Sequence, residues 1–185
     1  MSTGFPKITT DHLLLRQLKP DDAYDVYRLF SDKETMMFDG GQTMGSVNEA
    51  HSFIQAYASM NQPAVRWAVT GKESGALYGT AGFHHIDYQA RKAEIGGELL
   101  KSYWGKGIAK EAFHGLISFG FQKMRLNRIE AHISPENRGA IATIQKAPFV
   151  KEGYLRECQR WAGQFVDLEL YSLLYKDWAS STFYH

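Results

Sequence analysis

The chain has 185 residues, 44% of them apolar and 14% aromatic, enough for one domain with a continuous core and short for two. Twenty-one Lys and Arg against 20 Asp and Glu leave a formal charge of +1, so no global charge draws the chain to nucleic acid or to an anionic membrane. Any anion it holds must therefore be caught by a local device.

The one cysteine, Cys158, excludes an internal disulfide framework and a cysteine-cluster zinc site, and fits a reducing compartment. No apolar run approaches the roughly 18 residues needed to cross a bilayer. Residues Met1 to Lys7 lack the apolar stretch of a signal peptide. A cytoplasmic protein of one domain spanning residues 1–185, with its core over about residues 8–176, is the expectation.

Taken in chain order, residues 8 to 18 carry Leu13, Leu14, Leu15 and Leu18 among polar residues and predict a first strand ending at Lys19-Pro20. Pro20-Asp21-Asp22 opens a helix with acidic residues at its positive end, and Ala23, Val26, Tyr27 and Phe30 follow at helical spacing. Asp39-Gly40-Gly41 breaks the chain before a second helix over Ser46 to Met60. From Ala64 the period becomes that of strands: Val65, Trp67 and Val69 alternate, a turn over Gly71 to Gly75 follows, and Leu77 to Asp87 and Arg91 to Lys101 complete an antiparallel meander.

The longest periodic segment is Gly105 to Met124, with Ile108, Ala109, Ala112, Phe113, Leu116, Ile117 and Gly120 on one face. At 1.5 Å per residue it predicts a helix about 30 Å long. Asn127 to Ser134 alternates again, Asn137 to Lys146 is a short helix stopped by Pro148, and two closing strands flank Ala162-Gly163. Strand, helix, strand over 91–134 implies a parallel crossover inside an otherwise antiparallel sheet. The fold class is mixed α/β (α+β), with about seven strands and four main helices.

Chemistry concentrates where the strand Ala93 to Leu100 feeds Tyr103-Trp104-Gly105-Lys106-Gly107-Ile108-Ala109 and then the long helix. The first N–H groups of a helix lack internal acceptors and its dipole is positive there, so a glycine turn at that end can cradle a diphosphate. Neither a Walker sequence nor a Gly-x-Gly-x-x-Gly fingerprint is present, and Lys110 stands where the last fingerprint glycine would be.

Glu94-Ile95-Gly96, Tyr103 to Ala112, Leu126-Asn127-Arg128-Ile129-Glu130-Ala131 and Pro135-Glu136-Asn137 resemble, in this order, successive blocks of the GNAT acetyltransferase superfamily. The resemblance is closest to the branch of RimJ and RimL, ribosomal-protein N-terminal acetyltransferases. It implies acetyl-CoA as cosubstrate, no metal, and an amine acceptor: a protein N-terminus or a small molecule such as a polyamine, amino acid or drug. It also implies that Gly105, Lys106, Gly107, Ile108 and Ala109 hold the diphosphate through their amides. A bulge at Leu99 and Leu100 would lie beside the pantetheine, and Asn137 would touch the coenzyme. Relatives are often dimers or trimers, so the resemblance admits a homodimer or homotrimer here, and the sequence carries no decisive interface signal.

Direct attack by the amine needs an oxyanion donor, a base and an acid. The resemblance puts the donor at a backbone N–H of Leu99 or Leu100 and the base at Glu94. Regular alternation puts Glu94, Gly96 and Glu98 on one face, where either carboxylate is solvated or paired with Arg91, Lys92 or Lys101 unless it serves as the base. The acid stays open, because Asn137-Arg138-Gly139-Ala140 lacks the serine of many members and Ile144 replaces a common tyrosine; Tyr171 or water remains. Those two departures also admit a catalytically silent CoA-binding sensor.

His84-His85 on a regular strand would face opposite sides and could not chelate one metal. Cys158 is expected to be a half-buried ordinary thiol. Trp161 with Phe165, and Met36-Met37-Phe38, are core or the wall of an acceptor mouth. Asp32, Glu34, Asp39 and Glu49 are candidates for an acidic rim.

Overall fold

A computed structural model describes residues 4–60 and 62–181. Its strands are β1 (Ile8–Thr9), β2 (Leu13–Gln17), β3 (Val65–Gly71), β4 (Leu77–Asp87), β5 (Lys92–Leu99), β6 (Arg128–Ile133), β7 (Val150–Trp161) and β8 (Gln164–Leu174). They form one sheet in the order β1-β2-β3-β4-β5-β6-β8-β7, with β5–β6 the parallel pair and the other neighbours antiparallel. The helices are α1 (Ala23–Ser31), α2 (Lys33–Met36), α3 (Val47–Ala56), α4 (Ile108–Gln122), α5 (Arg138–Ile144) and α6 (Tyr175–Ser180).

The expected elements are all present, and the eighth strand arises because residues 8 to 18 form two strands rather than one. Thr10 N donates to Leu13 O at 3.0 Å, and the carboxylate of Glu111 on α4 accepts from His12 N at 2.7 Å. A helix one hundred residues downstream thus pins the turn that splits the strand. The two extra helices are one-turn and two-turn pieces: α2 is capped by Asp32, whose Oδ1 accepts from Thr35 N at 2.7 Å, and α6 buries Trp178 against Phe121.

Alternation along the strands sorts residues to two faces. Val65, Trp67, Phe83, Ala93, Ile95, Ile129, Ala131 and Leu173 pack with Ala112, Leu116, Ile117 and Phe121 of α4. On the opposite face Ala68 and Leu100 pack with Val26, Leu29 and Phe30 of α1 and Ala50 and Ile54 of α3. Fully burying an aliphatic or aromatic side chain contributes about 1.5–3 kcal/mol, so these two layers fix the sheet between its helices. No helix among the described residues is long and apolar enough to cross a membrane.

The feature that positions the site is a wedge in the sheet. β5 and β6 pair only through Lys92, Ala93 and Glu94 with Arg128, Ile129 and Glu130. Beyond them β5 stays with β4 as far as Leu99, while β6 stays with β8 as far as Ile133. The parallel strands therefore diverge past Glu94, and the backbone edge from Ile95 to Leu99 faces a gap.

Candidate active site

The bulge expected at Leu99 and Leu100 is not in the pairing of β5 with β4, whose register runs unbroken from His84↔Glu94 to Gly79↔Leu99. Divergence of β5 from β6 frees the amide instead. Leu100 N donates to Tyr78 O at 2.9 Å, so Leu100 is committed to β4. Residues in an antiparallel ladder alternate in the direction of their hydrogen bonds, so Leu99 turns its N–H away from β4 and into the wedge. Its carbonyl accepts from Trp104 Nε1 at 2.8 Å, a role for Trp104 that sequence reasoning missed. That bond ties the wedge to the glycine turn.

Gly105 and Gly107 both hold positive φ, 71° and 79°, where L side chains are strained and glycine is not. Gly107 is the N-cap of α4 without a side-chain cap, and the first intrahelical bond there runs from Glu111 N to Gly107 O at 3.1 Å. The amides of Ile108, Ala109 and Lys110 precede it and have no acceptor in the helix. Lys106 lies over the Tyr103 ring at 5.5 Å, its ammonium beside this turn. The nearby Asn137 uses its side chain differently: Oδ1 accepts from Ala140 N at 3.0 Å and caps α5.

At the apex of the wedge Glu94 is buried, its side chain 8% exposed. His85 Nδ1 lies 2.9 Å and His132 Nδ1 3.0 Å from its Oε2, and His84 Nε2 lies 3.6 Å from its Oε1. Burial pushes the Glu94 carboxyl up, but hydrogen bonds from His132 and His85 more than offset it, and it stays below the usual carboxylate range. The partnership with Glu94 raises His132, while burial lowers His84.

The opposite-faces reading of His84-His85 is overturned. The β4–β5 register shifts between His84 and Asp87, and His85 adopts φ 49°, so β4 bulges there and turns both rings to one side. They stack with centroids 5.0 Å apart and planes 12° from parallel. Strand alternation fails wherever a residue is inserted, and nothing in the dipeptide announces the insertion.

Glu98 does share a face with Glu94, but its partner is Arg66 of β3, not Arg91, Lys92 or Lys101. Arg66 Nη1 pairs with Glu98 Oε2 and donates to Thr80 Oγ1 at 2.9 Å, under the rings of Phe30, Phe53 and Tyr57 at 5.7–6.0 Å. Burial pushes the Glu98 carboxyl up to about 7; the Asp39 carboxylate adds to the rise and Arg66 opposes it. Of the four acidic rim candidates only Asp39 joins this cluster. Asp32 caps α2, Glu34 pairs with Lys101, and Glu49 is spent on Gly45 N and Ser46 at the start of α3.

The loops next to the two proposed mouth segments meet: Ala162 N, in the β7–β8 turn, donates to Gly40 O at 3.3 Å. Met37 and Phe165 are exposed, whereas Met36 is core. Ile144 is also core, and Tyr171 donates to Glu169 at 2.6 Å with its hydroxyl pushed up to about 12 by burial and by that carboxylate, which makes it a poor acid. Cys158 is exposed rather than half-buried, because β7 shifts register between Leu155 and Gln159 and carries it out of the sheet's alternation.

Residues 12–150 match the model of an acetyltransferase (GNAT) domain. An uncharacterized N-acetyltransferase, p20 of Bacillus licheniformis, is 36% identical over 172 residues, 92% of this chain and 97% of that protein. A [ribosomal protein uS5]-alanine N-acetyltransferase of Escherichia coli is 23% identical, covering 93% of this chain and 92% of its own length. A crystal structure of spermidine N-acetyltransferase from Vibrio cholerae, in complex with CoA and spermine, superposes with a TM-score of 0.82 at 23% identity, over 92% of this chain and all of that one.

Proposed function

The chain belongs to the GNAT acetyltransferase family and is an acetyl-CoA-dependent N-acetyltransferase, and from that premise we propose that its acceptor is the α-amine of a protein N-terminus, as in the RimJ/RimL branch. The reading of the site rests on one observation: the free amide edge of the wedge, ending at Leu99, is tied by Trp104 to the uncapped start of α4. The residues fit the cosubstrate. Gly105, Lys106, Gly107, Ile108 and Ala109 would hold the diphosphate, and the open edge of β5 would pair with the amide-bearing arm, with Leu100 and Asn137 beside it.

The bound thioester would supply an activated acetyl group: the amine nitrogen bonds the carbonyl carbon, the C–S bond breaks, and the departing CoA thiolate takes a proton from water. The Leu99 N–H serves as donor to the carbonyl oxygen as negative charge develops there, a type of contact whose loss costs about 10²–10³ in rate. Glu94 accepts the proton of the attacking amine, sharing it with the imidazoles of His85 and His132. A carboxylate below its ordinary range is a weak base, which suits an α-amine of pKa about 7.7–8.0 better than an alkylamine near 10.4.

A polyamine is the second reading, favoured by the exposed carboxylate of Asp39, which would attract a cationic chain where it stands against Glu98. Initial rates at pH 7 separate the two. A lysine-free peptide with a free N-terminus should be acetylated at least tenfold faster than the same peptide blocked and carrying one lysine, and faster than spermidine. Faster transfer to spermidine would assign the polyamine instead.

A further inference from the structure

Three imidazoles around one buried carboxylate exceed what proton transfer from an amine requires. Two of them stand side by side only because β4 bulges at His84 and His85, with His85 held at φ 49°. The bulge places both rings opposite Glu94 on β5, and candidate ligand atoms of His84, His85 and Glu94 all lie within 4.8 Å of one another. Around an ion with bonds of about 2.0–2.1 Å, tetrahedral ligand atoms stand about 3.3 Å apart. His84 Nε2 stands 3.6 Å from Glu94 Oε1 and His85 Nδ1 2.9 Å from Oε2, so a modest rotation of the carboxylate brings one oxygen near that spacing from both rings.

We infer that His84, His85 and Glu94 form a binding site for a divalent transition-metal ion of the zinc class. Two imidazole nitrogens and one carboxylate oxygen are a donor set that suits zinc and its neighbours rather than magnesium or calcium, which prefer oxygen alone. His132 Nδ1, 3.0 Å from Oε2, orients the carboxylate as hydrogen-bonded neighbours of metal-bound carboxylates do. The His85 side chain is 75% exposed, so an ion can enter from solvent and keep a coordination position for water. An ion there would also occupy the carboxylate that takes the amine proton, and would inhibit acetyl transfer. Binding stands apart from the acetyl-transfer reading; inhibition rests on it.

Calorimetric titration of the full chain with zinc chloride, repeated by the visible spectrum of added cobalt(II), tests the site. One ion per chain is expected, unaffected by Cys158→Ser and weakened at least tenfold by His84→Ala/His85→Ala in protein that keeps its CoA affinity. His85→Gln, whose exposed amide can still donate to Glu94, is the second variant should the double one fail to fold, and should weaken zinc binding in the same direction. No saturable binding, or stoichiometric binding that persists in these variants, overturns the site. Zinc binding without loss of transfer upholds the site and removes Glu94 from proton transfer.

Discussion

Glu98 shows what a side chain's neighbours do to it and how little of that a sequence displays. Its shared face with Glu94 followed from strand alternation; its partner did not, since Arg66 lies 32 positions earlier and is brought opposite by the registers of β3, β4 and β5. The same holds for His84 and His85, where one inserted residue reverses the geometry. The carboxyl of Glu98 sits near 4.5 in the unfolded chain and about 7 in the fold. Between those values the folded protein keeps a proton that the unfolded chain releases, so this group's contribution falls as pH rises, by on the order of 3 kcal/mol across the window. In Glu98→Gln the amide stands in for the protonated acid beside Arg66. Urea unfolding should show wild type and variant nearly equal at pH 5 and the variant the more stable at pH 8. A difference that does not change with pH would remove the shifted carboxyl. Asp39→Asn should lower the midpoint of Glu98 in a carboxyl NMR titration, because it deletes one source of the rise.

At the level of the element, the start of α4 was legible because its apolar period and its glycines lie in the sequence itself. The split of the first strand was not read, although the polar stretch Thr9-Thr10-Asp11-His12 separates Ile8 from Leu13 to Leu15, because the contact that pins the turn comes from Glu111 of α4, far along the chain. The Leu99 amide shows a second kind of limit. Resemblance pointed to a bulge at Leu99 and Leu100, whereas the Leu99 amide is released by divergence of two strands. Gly107 allows the helix start to be tested without steric interference, since a Cβ there meets nothing within 4 Å. At φ 79° an alanine would cost about 1–2 kcal/mol, and the chain would relieve that strain by rotating the peptide units whose N–H groups are proposed to hold the diphosphate. Gly107→Ala should therefore lower thermal stability modestly and weaken CoA at least tenfold by calorimetry. Gly153→Ala, at a β7 position equally open to a Cβ, should leave CoA affinity intact. Undiminished CoA binding by Gly107→Ala would move the diphosphate away from α4.

At the scale of the whole molecule, the parallel crossover could be read from strand, helix, strand, yet the insertion of β8 between β6 and β7 could not, because pattern fixes which residues are strands and not which edges they choose. That insertion has a consequence for access to the site. With β8 beside β6, the β7–β8 turn reaches the segment after α2, where Ala162 N bonds Gly40 O and Asp39 stands against Glu98 of β5. Contacts anchored on either side of the wedge thus meet above it, on the face of α1 and α3. An acceptor approaching Glu94 from that face passes this junction, whereas the diphosphate grip proposed at α4 does not involve it. A Cβ on Gly41 would stand 3.3 Å from that of Ala162, and its φ of 70° adds strain. Gly41→Val should push the turn and the loop apart, raising the KM for the acceptor about tenfold while leaving CoA affinity unchanged. Steady-state kinetics in both substrates would read the split. A KM that stays put in folded variant protein would mean that the acceptor enters elsewhere, and that the meeting of these loops only holds the far edge of the sheet to the helices.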